Sequence, residues 1–102
     1  MERIEIRRGD TLQLGAVLTD QNGETFTPAP GQQLMLSVGI AGSPMFTVPV
    51  VDGVAGIRHE DTKSISPGEY RFDVRLYDAD KTLVATPIYG EFAVLEVVND
   101  DI

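Results

Sequence analysis

The sequence predicts an all-β domain, a β-sandwich of about seven or eight antiparallel strands over residues 1–98, followed by a polar tail over 99–102. A length of 102 residues fits one domain. Short runs alternate apolar and polar residues, as strands with one buried face do. Ten glycines and six prolines separate these runs at short intervals. No window repeats apolar residues at helical spacing over three turns, so no substantial helix is expected.

The first two predicted strands follow from this alternation. Ile4 and Ile6 alternate with charged residues in the first, and apolar residues occupy every second position over 12–18 in the second. Asn22 and Gly23 lie in the loop that ends the second strand. Both residue types tolerate a positive φ, so this pair predicts a tight turn.

The central strands are predicted from two further runs. Apolar residues occupy alternate positions over 34–40 and again over 46–50. Pro49 lies within the latter run and has no N–H group, so we expect an edge strand or a bulge there. The segment 54–60 is predicted to be a strand as well. Its inward residues would be Ala55, Ile57 and His59.

The segment 66–78 is the most regular strand of the chain. A Pro-Gly turn opens it, and from Tyr70 to Leu76 apolar residues alternate with charged ones. A turn followed by Gly-x-Tyr resembles the tyrosine corner of immunoglobulin-like sandwiches, in which the tyrosine hydroxyl bonds to upstream backbone. The sandwich is therefore expected to be immunoglobulin-like, with Phe72 in the place of the usual disulfide cysteine.

The last stretch, 82–98, follows an acidic hairpin loop at 78–81 and is too long and too interrupted for one flat strand. Pro87 and Gly90 are expected to divide it by a kink or a bulge. The predicted core consists of inward-facing side chains from these segments: Leu14, Leu34, Leu36, Tyr70, Phe72, Val74, Leu76 and Phe92.

Composition argues against several classes of function. Sixteen acidic and eight basic residues give a net charge of −8, whereas duplex nucleic-acid binders carry a basic stripe for the phosphates. The absence of cysteine excludes disulfides, Cys-zinc sites and thiol catalysis. No apolar run approaches the roughly 20 residues of a membrane span, and the alternating N-terminus does not resemble a signal peptide. We therefore expect a soluble protein that binds neither nucleic acid nor membrane.

Several motifs have both a chemical and a simpler structural interpretation. Residues 8–10 are Arg-Gly-Asp, which integrins read in displayed loops, but a turn explains them as well. The acidic loops 20–24 and 78–80 lack the glutamate that a calcium loop needs at its twelfth position. They are interpreted as hairpin turns, with a weak calcium site as the alternative. His59, the only histidine, has no nucleophile elbow or His-x-x-x-His spacing beside it. No catalytic, cofactor-binding or metal-binding residue is predicted.

The aromatic residues are four Phe and three Tyr, without Trp. Tyr77 lies on the charged face of its strand, and Tyr89 precedes Gly90. Such tyrosines could stack on a sugar, although a platform without tryptophan would be weak. Ordinary surface or strand-pair packing is the preferred interpretation.

Residues 4–11, 18–23 and 66–80, together with Thr86 and 90–92, carry a family resemblance. Their order and spacing resemble the immunoglobulin-like N-terminal domain of phage baseplate upper proteins and related tail modules. Members of that family open with a strand, a Gly-Asp-Thr-like turn and a second strand. They close with a Pro-Gly-x-Tyr strand, an acidic hairpin and a Gly-x-Phe strand. The resemblance spans nearly the whole chain and implies a virion scaffold that binds other baseplate or tail proteins.

The expected function is that of a non-catalytic phage or prophage structural protein, made in the bacterial cytoplasm and assembled into the virion. Its contacts would use sheet edges, loops or the face that bears Arg3 and Arg7, while the Pro49 strand would resist pairing. Self-association is left open. The alternatives are an immunoglobulin-like adhesion or carbohydrate-binding module of a bacterial surface protein, and a small hydrolase that would use His59.

Overall fold

The computed structural model describes residues 2–16, 18 and 22–98, and this part of the chain is mostly β-strand. The strands are β1 Glu2–Arg7, β2 Leu12–Gly15, β3 Gln33–Ile40, β4 Ser43–Val51, β5 Val54–Ile57, β6 Gly68–Tyr77 and β7 Leu83–Leu95. A single short helix in the described residues, α1 His59–Thr62, lies between β5 and β6. The all-β prediction is confirmed.

The seven described strands form one sheet in the order β1-β7-β6-β3-β4-β5-β2, curved until it is nearly barrel-shaped. The pairing is antiparallel throughout except between β1 and β7, which run parallel. One continuous ladder thus connects all of these strands. The two-layer, immunoglobulin-like arrangement expected from the sequence is not confirmed.

One hydrophobic core fills the inside of this curved sheet. Period-two alternation sends every second side chain of each strand inward. Leu36, Val38 and Phe92 are almost completely buried. The ring of Phe46 on β4 meets Phe92 edge-on, with ring centroids 6.3 Å apart. The core therefore connects strands from both halves of the sheet.

The predicted core residues all contribute to this interior. Those that are buried are Leu34, Leu36, Phe72, Val74, Leu76 and Phe92. Leu14 and Tyr70 are half-buried and pack against the same cluster. Buried residues outside the predicted set include Ile6, Val38, Val48, Ala55, Ile57, Ile65, Ala93 and Val94.

The long C-terminal stretch is one strand, β7, whose pairing with β6 shifts twice. Val74 lies opposite Ile88 and Leu76 opposite Ala85, so the β7 side accommodates an extra residue beside Pro87. This is the bulge expected at the proline. Gly90 pairs in register with β6, and the expected interruption there is wrong.

Three other sequence predictions need correction. The predicted second strand ends at Gly15, and its loop at 19–21 lies outside the described residues, as does the tail 99–102. The pairing of β3 with β4 shifts after Val38, where β4 carries the extra residue Met45, and Ile40 at the end of β3 is 60% exposed instead of inward. His59 begins α1 and does not continue β5, because the Asp61 carboxylate accepts the Arg58 N–H at 2.8 Å and caps a helical turn.

Candidate functional site

An open groove of about 910 Å³ lies on the outer face of the sheet. Its floor is the outward side of β3 and β6, where side chains alternate with those of the core. Three cross-strand pairs form the floor: Met35 with Arg75, Ser37 with Asp73, and Gly39 with Arg71. Both floor strands are paired along their two sides, so the groove presents side chains and no free backbone groups.

Gly39 lets β3 and β4 approach each other closely at one end of the groove. A Cβ at this position would lie 2.5 Å from the Ser43 carbonyl oxygen and 2.8 Å from the Met45 nitrogen. These are backbone atoms that cannot rotate away. The glycine therefore permits the bulged path of β4.

The polar groups of the floor are only partly satisfied within the protein. Arg75 Nε lies 3.4 Å from Asp73 Oδ2. Asp73 Oδ1 and Arg75 Nε are shielded from solvent, and neither has a hydrogen-bond partner among the described residues. Tyr77, and after it the Asp73 charge, holds the pKa of Arg75 above its ordinary value. Native proteins rarely leave such groups unpaired. Because both atoms are shielded, a ligand could bond to them only if the side chains moved.

A row of side chains crosses the groove over four adjacent strands. Tyr89 of β7 faces Asp73, which faces Ser37, which faces Thr47 of β4. Four strands span roughly 14 Å at ordinary strand spacing. The Ser37 and Thr47 hydroxyls lie 2.9 Å apart, and Tyr89 is 62% exposed. The row combines a flat aromatic side chain with polar groups.

The sequence pattern marks Tyr77 and Tyr89 as candidate contact residues but does not connect them with the other groove residues. The available signal was the charged face of the 66–78 strand, where Arg71, Asp73 and Arg75 share one side. What the sequence does not reveal is which neighbouring strand supplies Ser37 and Thr47, because that depends on strand order.

The outer edge of β4 is open over 43–49. β4 and β5 are joined by a two-residue turn whose Asp52 and Gly53 both have positive φ, and they pair only at 50–51 with 54–55. At the next position Pro49 has no N–H to donate, and β5 makes no further pair with β4, while its other side pairs with β2 over 54–57. Hydrogen-bonding direction alternates along a strand, so the Thr47 N–H and C=O point to this edge, where no described strand lies.

The opposite border of the sheet carries a network of ion pairs around Arg3 on β1. Its guanidinium donates to Glu69 at 3.0 and 3.1 Å and to Glu91 at 3.0 Å, and it lies 3.5 Å from Glu5. The Glu69 hydrogen bond raises the pKa of Arg3, and the same bond lowers the pKa of Glu69. Arg7 donates to the Glu96 carbonyl at 2.9 Å. The face proposed for partner binding from the sequence is thus occupied by contacts within the chain.

The Arg-Gly-Asp tripeptide forms a turn that is fixed to α1. Gly9 has φ 87° and donates its N–H to Thr62 Oγ1 at 3.1 Å. His59 Nδ1 lies 2.6 Å from the Gly9 carbonyl oxygen. Because a carbonyl only accepts, Nδ1 carries the proton and donates it to this bond. Thr62 is fully buried and donates to the Asp10 carbonyl. The contact of His59 is therefore that of a residue that fixes a turn.

The acidic loop between β6 and β7 uses its carboxylates for its own hydrogen bonds. Asp78 Oδ1 accepts from Gln32 Nε2 at 2.9 Å, and Asp80 Oδ1 accepts the Thr82 N–H at 3.0 Å. Hydrogen bonds from Thr82 lower the pKa of Asp80. Residues 2–16, 18 and 22–98 contain no cluster of three or more His, Asp or Glu side chains that could hold a metal ion.

Comparisons with known proteins give no assignment. No family model, curated protein or solved structure matches this chain. No helix in the described part of the chain is both long and apolar enough to cross a membrane. A functional proposal therefore depends on the open edge of β4, the groove beside it and the resemblance of the sequence.

Proposed function

We propose that the protein is a non-catalytic assembly module of a phage or prophage virion, in the baseplate or tail, that binds a neighbouring subunit through the open edge of β4. The observation that carries this proposal is the uncharged segment 43–49, which pairs with β3 on one side and has no described strand on the other. An extended segment of a partner can add to such an edge through main-chain hydrogen bonds. The virion context comes from the resemblance of the sequence.

The edge has only part of the protection that usually prevents such pairing. Natural edge strands are protected by charged side chains, by proline or by a covering loop. Residues 43–49 contain no charge but two prolines, Pro44 and Pro49, and the sequence led us to expect that Pro49 would resist pairing. Ile40 and Met45, 60% and 47% exposed, add apolar surface at one end. Pro49 is expected to limit pairing to the positions before it, so that Thr47 provides the donor.

An immunoglobulin-like arrangement of the sheet is part of this proposal. The Tyr70 hydroxyl donates to the Ser66 carbonyl at 2.6 Å, which is the contact of a tyrosine corner. Such corners occur where a connection crosses between the sheets of a sandwich. The curvature of the sheet, which brings the inner faces of both halves onto one core, is compatible with that arrangement.

The proposal is tested by asking whether the chain is a component of phage particles. We expect it to be detected in purified virions and its gene to lie among tail or baseplate genes. Thr47→Pro should abolish incorporation, because it removes the outward N–H without removing a bond to β3. Thr47→Val keeps the backbone and should be incorporated normally. Absence from particles, or a gene located among metabolic or cell-wall genes, would contradict the virion role.

A second candidate function is that of an adhesion or carbohydrate-binding module. One observation favours it: Tyr89 is exposed beside a groove whose floor carries unpaired polar atoms. Binding of a glycan would not require the β4 edge. The two candidate functions therefore use different groups of the protein: the backbone of the β4 edge for assembly, and Tyr89 with the groove for a glycan.

A further inference from the structure

We propose that the outer-face groove binds a strand of an acidic polysaccharide, with Tyr89 stacked on a sugar ring and Arg71 paired with a carboxylate of the ligand. The groove is lined by residues of β3, β4, β6 and β7, by the β3–β4 turn and by the loop at 78–81. The site does not depend on the virion role, because Tyr89 and Arg71, which would contact the ligand, lie on β7 and β6 and not on the edge of β4.

The backbone of the floor argues for a saccharide and against a peptide strand. β3 pairs with β4 and β6, and β6 pairs with β3 and β7, so their N–H and C=O groups are used within the sheet. A peptide that adds to a sheet needs free backbone groups at an edge. In the groove, a ligand is bound by side chains alone. Saccharides are recognised through aromatic faces and polar side chains, which is what this floor presents.

The polar groups of the floor match the chemistry of hydroxyl groups. Asp73 Oδ1 can only accept a hydrogen bond, and Arg75 Nε can only donate one, and both lack partners among the described residues. Both atoms are shielded from solvent, so a ligand hydroxyl can donate to the Asp73 carboxylate only after that side chain rotates. The carboxylate torsion of Asp73 is broad and roughly two-fold, so rotation can turn either oxygen toward the groove. Ser37 and Thr47 extend this row of hydrogen-bonding groups.

The charges of the groove indicate that the saccharide is acidic. The Asp73 carboxylate faces Arg75, and Asp78 accepts a hydrogen bond from Gln32. Arg71 lines the groove, is exposed, and makes no hydrogen bond or ion pair through its side chain with the described residues. Its cross-strand neighbour Glu91 is bound to Arg3. A positive group is therefore available in the groove, although the protein as a whole has a net charge of −8.

Tyr89 provides the apolar contact of the site. It lies on the outer face of β7 opposite Asp73, and at 62% exposure its side chain remains accessible although it lies in the middle of a paired strand. Aromatic rings provide rigid contact area with little loss of side-chain entropy on binding. A sugar ring stacked on Tyr89 would bring its hydroxyls over the polar row that begins at Asp73.

The experiment is titration calorimetry of the whole protein with three ligands at low ionic strength: oligogalacturonate, its methyl ester and poly-glutamate. We expect oligogalacturonate to bind, the uncharged ester to bind at least about tenfold more weakly, and poly-glutamate not to bind. Tyr89→Ala should weaken binding by about tenfold, whereas Tyr89→Phe should retain it. Arg71→Gln should remove the preference for the acid over the ester. Lys63→Gln, which removes an exposed cation outside the groove, should have no effect.

Each alternative result would overturn a stated part of the proposal. Equal binding of the acid and the ester would exclude the role of Arg71. Equal binding of poly-glutamate would show a general anion site and no saccharide site. Binding that Tyr89→Ala leaves unchanged would place the ligand elsewhere, and no binding of either oligosaccharide would exclude the site. Tyr89→Ala and Arg71→Gln, which lie on β7 and β6, should leave incorporation into particles unchanged, so the two proposals can fail separately.

Discussion

Two borders of the sheet differ in how they are protected. β1 ends the ladder on one side, and its outward face carries Arg3, which is bound to three glutamates. The outer edge of β4 has no charged residue over 43–49 and no partner strand in the described part of the chain. Both contain strand backbone at a border, yet only one is surrounded by charges. Of these two edges, that of β4 is therefore the less protected against pairing with another chain.

The same comparison explains why the N-terminal arginines are poor candidates for partner binding. Arg3 holds β1 against β7 and β6 through its glutamates, and Arg7 contacts the backbone after β7. Their charges stabilise the parallel pairing of the first and last strands. A partner that used them would first have to break these contacts.

The largest loss of stability is expected from a change at Phe92, which contacts both the β1 side and the β4 side of the core. Phe92 pairs with Ile4 of β1 in the ladder, and its ring meets Phe46 of β4. Phe92→Ala should lower the free energy of unfolding by about 3–5 kcal/mol, because it leaves a cavity between the two halves of the sheet. Urea denaturation measures this loss. Tyr89→Ala, on the exposed face of the same strand, is the control and should change stability by less than about 0.5 kcal/mol. Similar losses for both variants would mean that the core does not link the borders.

A smaller effect, confined to the β4 border, is expected at Gly39. Gly39→Ala places a methyl group against backbone atoms of Ser43 and Met45, so β4 must move. We expect a loss of about 1–3 kcal/mol in urea denaturation. Amide chemical-shift changes should be confined to β3, β4 and their turn, with those of β1 unchanged. Gly56→Ala is the matched control, because its added Cβ would meet nothing within 4 Å. Shift changes that reach β1 would show that the two borders are not independent.

Local patterns predicted the strands well, whereas strand order and the site depended on long-range pairing. Alternation located the central strands and the residues of the core, and Pro49 lies just before the two positions at which β4 pairs with β5. Alternation alone could not show that the pairing with β4 shifts after Val38 or that Ile40 at the end of β3 is exposed, because an extra residue on the neighbouring strand changes the register without changing the pattern of β3. The alternation also continued past the point where His59 leaves the strand, although the Asp61 cap that starts α1 is a local contact three residues from Arg58.

The groove illustrates the same limit. Arg71, Asp73 and Arg75 share one face in the sequence pattern, which fixes their alternation. Ser37 and Thr47 join them only because β3 lies between β6 and β4. The sequence also does not show that Arg3 is hydrogen-bonded to Glu69 and Glu91, because both glutamates are distant from it in the chain.

A smaller loss of stability is expected from removing the hydrogen bond between Tyr70 and Ser66, which lies near β1. Tyr70 begins the regular part of β6 opposite Phe92, and its hydroxyl donates to Ser66. Tyr70→Phe removes one hydrogen bond and keeps the ring, so the expected loss is about 0.5–1.5 kcal/mol. Hydrogen exchange should accelerate mainly around 66–70, while β4 amides keep their rates. Tyr89→Phe, which removes an exposed hydroxyl, should leave both measurements unchanged. A β4 response as large as that near Ser66 would contradict a local role for the corner.

The smallest effect is expected from the charges that distinguish the two borders. Because Arg3 lowers the pKa of Glu69 in the folded protein, this pair stabilises the fold above the ordinary glutamate value of about 4.3. The contribution of this pair to stability is lost as the pH falls through the lowered pKa of Glu69 in the folded protein. Arg3 and Glu69 are both exposed, so salt should weaken their interaction. Arg3→Gln should therefore flatten the acid limb of the curve of stability against pH at low salt, and Glu69→Gln should flatten it equally. The double variant should add nothing to either single one, whereas additive changes would mean that the two residues act separately. Arg58→Gln, which removes an ion-paired arginine near α1, should leave this limb unchanged if the protection belongs to the β1 border.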